Sequence, residues 1–130
     1  MFYAFSHTPT ATLTEATAVE LPLKLTPGII HQVDVLFQDG CDHETHVQIF
    51  HGNYQVWPSN RGENLRGNAT VISFREFYEV TSKLSTLTAH IWSEGATPWV
   101  EVIIHIGLLS KRIIQPMAFE ELLAAAAGIE

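Results

Sequence analysis

The sequence predicts a mainly β protein, an antiparallel β-sandwich or jelly roll, with an extended N-terminal arm and a short C-terminal helix. Apolar and polar residues alternate in roughly seven or eight runs of strand length, and turn residues separate these runs about every 8 to 12 residues. Helical spacing is confined to the end of the chain. We therefore divide the chain into an arm (1–27), a β-sandwich domain (28–110) and a tail (111–130).

The arm begins with an aromatic tip, formed by Phe2, Tyr3 and Phe5, and continues in sequence rich in threonine and alanine. Its last part, residues 19–25, alternates apolar and polar side chains, and Pro22 places this strand at a sheet edge because proline cannot donate to a β-ladder. A fully extended tether of about thirteen residues spans about 43 Å, which exceeds the width of a small domain. We therefore expect the tip to bind a neighbouring subunit. The alternative is that the whole segment packs on its own domain.

The domain is predicted to be built around a β-hairpin between Gly28 and Pro58. Its first strand places four side chains on one face, which we predict to be the core face: His31, Val33, Val35 and Phe37. Its second strand covers residues 46–51. Between the strands, Asp39 and Gly40 form a strong turn signal, and the length of the connection predicts a wide loop.

Residues 58–68 concentrate Gly, Asn and Pro and are predicted to form a long surface loop. The loop contains two of the seven basic residues of the chain. We predict an interaction loop here, with four contact residues: Trp57, Asn60, Arg61 and Arg66. Further strands are predicted over residues 69–74, 77–80, 84–92 and 99–109. In the last of these strands one face is wholly apolar and includes Ile104.

The tail changes to helical periodicity. Between Met117 and Ala127, apolar side chains recur at i, i+3, i+4, i+7 and i+8, Pro116 precedes them and Gly128 follows them. These features predict a short amphipathic helix, which must bury its apolar stripe because so short a helix is marginal alone. The predicted contact residues on this stripe are Phe119, Leu122 and Leu123.

Fourteen acidic and seven basic residues give a net charge of −7, which argues against nucleic acid and against an anionic membrane as partners. The acidic excess fits solubility or docking to a basic surface. The single cysteine, Cys41, excludes an intramolecular disulfide framework. The start of the chain lacks the basic segment and apolar run of a signal peptide, and no run is long enough to span a membrane, so we expect synthesis in the cytoplasm.

Possible metal ligands crowd the turn of the predicted hairpin. They are Cys41, Asp42, His43, Glu44 and His46, with His51 nearby. The spacing matches neither His-Glu-x-x-His nor Cys-x-x-Cys, and His46 and His51 point to opposite faces of a strand. We therefore predict a solvated turn, without a metal or another cofactor.

Asp34, His31 and Ser73 are a conceivable hydrolase triad, but the sequence has no Gly-x-Ser-x-Gly nucleophile elbow. We therefore predict that the protein is not an enzyme. The third hypothesis for its function is a small metal-dependent enzyme that uses the histidine-rich turn.

The three tryptophans, Trp57, Trp92 and Trp99, fall at strand ends or in loops, where an aromatic platform for a sugar or a peptide would lie. Packing in the core or at its rim is the commoner role for such residues. If the tryptophans form such a platform, the protein is a carbohydrate- or peptide-binding β-sandwich module, which is the alternative function.

Three stretches, GIIHQVDVLFQDGC, HVQIFHGNYQVWP and TVISFREFY, resemble segments of phage structural proteins. A short acidic chain with an arm, a β-sandwich, a polar loop and a terminal helix is similar to the decoration (cement) proteins that clamp the outside of tailed-phage capsids. The resemblance implies a non-enzymatic virion component on the capsid surface, made in the host cytoplasm. It also implies a homo-oligomer, often a trimer, which binds a major capsid or shell protein and whose arm reaches a neighbouring subunit.

Overall fold

The computed structural model describes residues 1–81, 86–95 and 99–110. The regular structure of these residues consists of nine β-strands and one 3-10 turn, Glu15–Thr17. The strands are β1 (Phe2–His7), β2 (Val19–Lys24), β3 (Gly28–Phe37), β4 (Thr45–His51), β5 (Tyr54–Trp57), β6 (Leu65–Arg66), β7 (Thr70–Val80), β8 (Thr86–Ser93) and β9 (Val102–Leu109).

The strands form two sheets in which every pair of neighbours is antiparallel. Sheet A has the order β1-β9-β3-β7, and sheet B has the order β2-β8-β4-β5, with β6 also paired to β4. The chain changes sheet at every connection between successive strands from β1 to β4, and again at every connection from β6 to β9. The prediction of a mainly antiparallel β protein is therefore confirmed.

One hydrophobic cluster is shared by the two sheets. Strand β9 contributes four fully buried side chains: Val102, Ile104, Ile106 and Leu108. Strand β8 contributes Leu87, Ala89 and Ile91 from the other sheet. Alternate side chains of these strands point away from the core. The apolar face that the sequence predicted for the last strand is therefore confirmed.

The predicted core face of β3 is correct for Val33, Val35 and Phe37 but wrong for His31. Ile30 pairs with Leu108 and Gln32 pairs with Gly107, so β3 has one residue more than β9 at this point. Such a β-bulge shifts the alternation of side chains by one position. His31 consequently points to the outer side of sheet A, where its ring contacts the edge of Phe2 with 5.8 Å between centroids.

The segment predicted to be an extended arm forms two strands of the domain. Strand β1 pairs with β9 over its whole length, and Tyr3 and Phe5 pack against the hydrophobic cluster. The pairing satisfies backbone groups of β9 that would otherwise lie at a free edge. The extended arm is therefore a wrong prediction, and packing on the same domain is what the structure shows. The edge position predicted from Pro22 is confirmed, because β8 is the one described strand that pairs with β2.

The central hairpin is a further wrong prediction. Strand β3 lies in sheet A and β4 in sheet B, so the two strands do not pair. Their connection bends sharply, with positive φ at Gly40, Asp42 and His43, and the Asn68 side-chain oxygen accepts hydrogen bonds from the backbone N–H groups of Gly40 and Asp42, both at 2.9 Å. The chain crosses between sheets here instead of turning back. The two-residue hairpin joins β4 to β5, where His51 pairs with Tyr54.

The remaining predictions differ mainly in their bounds. The two strands expected over residues 69–74 and 77–80 form the single strand β7, and the predicted surface loop contains the short strand β6. The predicted C-terminal helix and its contact residues, Phe119, Leu122 and Leu123, lie outside the described residues. In the described part of the chain, no helix is long and apolar enough to cross a membrane.

Candidate functional site

The side of sheet A that points away from the core is the main candidate for a functional surface, and we call it the outer face of sheet A. The strand register arranges its side chains in three rows across β1, β9, β3 and β7. The rows are Phe2, Gly107, Gln32 and Arg75; Ala4, His105, Asp34 and Ser73; and Ser6, Ile103, Leu36 and Val71.

Large apolar side chains are exposed on this face. Phe2 is 67% exposed and Val71 is 52% exposed, and Phe77, which continues the outward alternation of β7, is 71% exposed. Val71 shares its row with the half-buried Leu36 and Ile103, so an apolar band crosses three strands. Several large exposed apolar side chains on one face of a sheet favour this face as the interaction surface.

The middle of the outer face is polar and internally hydrogen-bonded. The Gln32 side-chain amide donates to Asp34 Oδ1 at 2.8 Å and to Ser73 Oγ at 2.7 Å, and Ser73 Oγ donates to Asp34 Oδ1 at 2.5 Å. A Ser-His-Asp triad requires the histidine between the serine and the carboxylate. Here the serine donates directly to the carboxylate, and His31 lies beside Phe2 instead. The arrangement is therefore a cross-strand network that orders the sheet surface.

The predicted aromatic tip is divided between the two sides of β1. Tyr3 and Phe5 point inward with their rings stacked at 6.4 Å, and the Tyr3 hydroxyl is 2.8 Å from Thr26 Oγ1. Phe2 points outward over Gly107, where an added Cβ would lie 2.7 Å from Phe2 Cε1. Of the three predicted assembly residues, Phe2 is the one that stays available to a partner.

A pocket of about 230 Å³ opens beside the free edge of sheet A. Its lining residues are Trp57, Pro58, Ser59, Leu65, Phe74 and Glu76. Because Phe74 and Glu76 belong to β7 while Trp57 and Leu65 belong to β5 and β6, the pocket lies where the edges of the two sheets meet, and we call it the seam pocket. Its volume is below the roughly 300 to 1,000 Å³ of small-molecule sites, so it suits a single side chain.

The predicted interaction loop is accessible except at Trp57. Trp57 is only 3% exposed, and its ring packs 5.8 Å from Phe74. Arg61 is exposed, with its guanidinium 5.1 Å from the centre of the Tyr54 ring, and Asn60 is exposed beside it. Arg66 lies on β6 opposite His46 and is also exposed. Trp57 is buried because it follows the inward alternation of β5, opposite Ile49.

The outer side of sheet B is closed by its own loops. Gln48 is buried, and its side-chain amide donates to Glu15 Oε2 at 3.2 Å and to the Glu63 backbone oxygen at 2.9 Å. The 3-10 turn is fixed beside β8 by a hydrogen bond from Leu13 N–H to the Ser93 oxygen at 2.9 Å. The Gln48 amide is therefore satisfied by the covering segments, whereas the buried indole N–H of Trp92 on the same side has no hydrogen-bond partner among the described residues.

The candidate metal ligands do not converge. Cys41 is buried, and burial raises the pKa of its thiol, which disfavours the thiolate that binds metals. His46 stacks on Trp92 at 5.0 Å, and its Nδ1 is 2.7 Å from Asn64 Oδ1. The His51 Nδ1 lies 2.6 Å from the Tyr78 hydroxyl. In residues 1–81, 86–95 and 99–110, no three His, Cys, Asp or Glu side chains form a group that could hold a metal ion.

The tryptophans do not form a common platform. Trp92 is 2% exposed and lies beneath the covering segments of sheet B, and Trp57 belongs to the core cluster. Trp99 is half-buried and donates its indole N–H to the Gly95 oxygen at 3.0 Å. Trp57 borders the seam pocket with only 3% of its surface exposed and Trp92 is 2% exposed, so the described tryptophans do not form the open platform that motivated a sugar-binding module.

Comparisons with known proteins add no family to this geometry. No protein-family model matches the chain, and neither a curated protein nor a solved structure is significantly similar to it.

Proposed function

We propose that the protein is a non-enzymatic virion subunit that decorates a capsid and stabilises the shell through contacts between subunits. The proposal is carried by the exposed apolar surface of sheet A. Phe2, Val71 and Phe77 are the large exposed side chains of this sheet, and all three point away from the core. Covering apolar area of this kind contributes about 25 cal/mol per Å², so a partner surface would gain stability by docking there.

The strand order supports a jelly roll, the finer description of the fold that we propose. With strands taken in chain order, β1-β9-β3-β7 against β2-β8-β4-β5 is the arrangement of an eight-stranded jelly roll, with β6 as an addition. Jelly rolls occur in viral capsid proteins and also in lectins and cupins. The fold permits the proposed function, and the exposed face of sheet A supports an assembly role over a ligand-binding one.

In the proposed assembly the partners are further copies of this chain, with a trimer as the simplest arrangement, and a major capsid or shell protein. The protein would be made in the host cytoplasm and located on the capsid surface. The acidic net charge of −7 argues against a capsid interior that binds nucleic acid and agrees with docking to a basic surface. Contacts through Phe119, Leu122 and Leu123 stay a prediction from the sequence.

The test is the mass and location of the native protein. We expect the protein to sediment with particles of capsid size in material from its natural source, and immunogold labelling to place it on their outer surface. The double variant Phe2→Ser, Phe77→Ser should lose this association. Tyr54→Ser is the matched control, because Tyr54 is exposed to a similar degree, 53%, but belongs to sheet B.

If the particles bind the double variant as strongly as the native protein, the outer face of sheet A is not part of the interface. A native protein that is monomeric and never sediments with particles would refute the decoration function itself.

A further inference from the structure

We propose that the free edge of β7 and the seam pocket together bind an extended segment of a partner protein that carries a basic side chain. Strand β7 is eleven residues long, and among the described strands it pairs with β3 alone. Alternate backbone N–H and C=O groups of an edge strand point outward and can form a ladder with another chain. Peptides bind to such edges by adding a strand to the sheet.

The seam pocket gives this edge a position for a specific side chain. An added strand would lie about 4.8 Å from β7, and every second side chain would point to the same side as Phe74 and Glu76. These two residues line the pocket, together with Trp57 and Leu65 from the edge of sheet B. One side chain of the added strand would therefore enter the pocket, while its neighbours two residues away would contact the apolar rim.

The charge of the pocket favours a cation. Glu76 is the only charged residue among the six that line the pocket, and it is exposed. No ion pair within the described residues neutralises it. The apolar rings of Trp57 and Phe74 suit the methylene stem of a lysine or arginine whose charged head reaches the Glu76 carboxylate. A negatively charged or small side chain would leave both features of the pocket unused.

Among the described residues, the edge strands of a second copy do not supply the required strand. Strand β1, the other edge of sheet A, contains neither Lys nor Arg. Of the two edge strands of sheet B, β2 carries Lys24 at its end but is interrupted by Pro22, and β5 contains neither Lys nor Arg. Pairing β7 with β7 of another copy would bring the two Glu76 carboxylates into the same shared interface. The chemistry therefore indicates a different protein, and the inference rests on the proposed function in that the segment would belong to the shell protein.

The experiment measures binding of designed peptides to the full chain. The first probe is a capped peptide of alternating Thr and Val, as long as β7, with one central Arg on the valine side. The second probe has Glu in place of Arg, and the third is the Arg peptide with alternate backbone nitrogens methylated, which blocks ladder formation along one edge. Affinities come from fluorescence anisotropy, and the site comes from amide shifts in nuclear magnetic resonance spectra.

We expect the Arg peptide to bind about tenfold or more tightly than the Glu peptide, and to shift the amides of β7. Glu76→Lys should reverse the preference between the two peptides. Glu20→Lys is the matched control, because Glu20 is an exposed carboxylate on the edge strand of the other sheet, and this variant should bind as the native chain does. The methylated peptide should not bind. Glu76→Gln, which should abolish the preference, replaces Glu76→Lys if that variant does not fold.

Equal affinity for the Arg and Glu peptides, amide shifts away from β7, or no binding at millimolar peptide would each overturn the inference. These outcomes are separate from those that test the decoration function. If the protein sediments with capsids through sheet A but does not bind the peptides, the proposed function stands and this inference is refuted. If it binds the Arg peptide at β7 but never sediments with particles, the peptide-binding inference stands and the decoration function is refuted.

Discussion

Alanine substitutions at Phe5 and Phe2 test whether β1 belongs to the folded domain or acts as a detachable arm. The two rings lie on the same strand but on opposite sides of it. Phe5 pairs with Ile104 and packs against the core, whereas Phe2 pairs with Gly107 and is mostly exposed. A detachable arm predicts that neither substitution changes the stability of the domain.

The structure predicts unequal losses. Replacing a fully buried phenylalanine by alanine lowers the free energy of unfolding by about 3 to 5 kcal/mol. Because Phe5 is half-buried, we expect about half of this, roughly 1.5 to 2.5 kcal/mol. For Phe2→Ala we expect a change within about 0.5 kcal/mol, as for other surface substitutions.

The assay is urea unfolding, followed by tryptophan fluorescence and circular dichroism at several protein concentrations. With a urea dependence of about 2 kcal/mol per M, the Phe5→Ala midpoint should fall by about 1 M, and the Phe2→Ala midpoint should hardly move. Midpoints that do not depend on protein concentration exclude a contribution from assembly. Two equal and small changes would refute the assignment of β1 to the domain, and a larger loss at Phe2 than at Phe5 would refute the predicted orientation of the strand.

Four other perturbations have expected results. Ile104→Ala should lower the free energy of unfolding by about 2 to 5 kcal/mol, because Ile104 is fully buried, and a loss below about 1 kcal/mol would remove it from the core. Gly107→Ala should cost about 1 to 3 kcal/mol, since its Cβ would meet Phe2 and His31, and adding Phe2→Ala should recover part of this loss in a double-mutant cycle. Burial lowers the pKa of His7, so the unfolded chain takes up a proton near pH 6.5 while the folded chain does so only at lower pH. Stability contributed by neutral His7 is therefore present above about pH 6.5 and lost as the pH falls below it, and His7→Gln should show a weaker decline between about pH 7.5 and 5 in the same urea assay. A chelator should leave the urea midpoint unchanged, and a lowered midpoint would show that the histidine-rich turn binds a structural metal.

Local alternation predicted the core faces of β9 and most of β3 from the sequence, because a two-residue period is a property of the strand itself. Strand partners could not be predicted in the same way. The connection from β3 to β4 contains the turn signal of Gly40, yet its positive-φ backbone and the hydrogen bonds that its N–H groups donate to Asn68 direct the chain to the other sheet. The signal for the real hairpin was Gly52 followed by Asn53, a dipeptide that favours tight hairpin turns.

The candidate site was only partly visible in the sequence. The hydrophobicity of Phe2 predicts an interaction residue, but the outward orientation of its side chain depends on the pairing of β1 with β9. Val71 and Phe77 share a strand face with Ser73 and Arg75, so two large apolar residues on an otherwise polar face were the available signal. The outward position of His31 had no such signal, because the bulge is defined only by its two partner strands.

The outer side of sheet B is largely covered by loops, whereas the outer side of sheet A exposes large apolar side chains. This difference bears on function. On sheet B, buried Gln48 joins segments from both sides, and His46 and Trp92 are enclosed, so that side is stabilised by the chain itself. On sheet A, the polar centre is hydrogen-bonded while the apolar groups around it stay exposed. A protein selected only for monomer stability would gain by covering or replacing these groups, since each exposed phenylalanine contributes nothing to its core. Their retention on one sheet, next to a β7 edge that no described strand pairs, is the observation on which the proposed docking of a partner to sheet A rests.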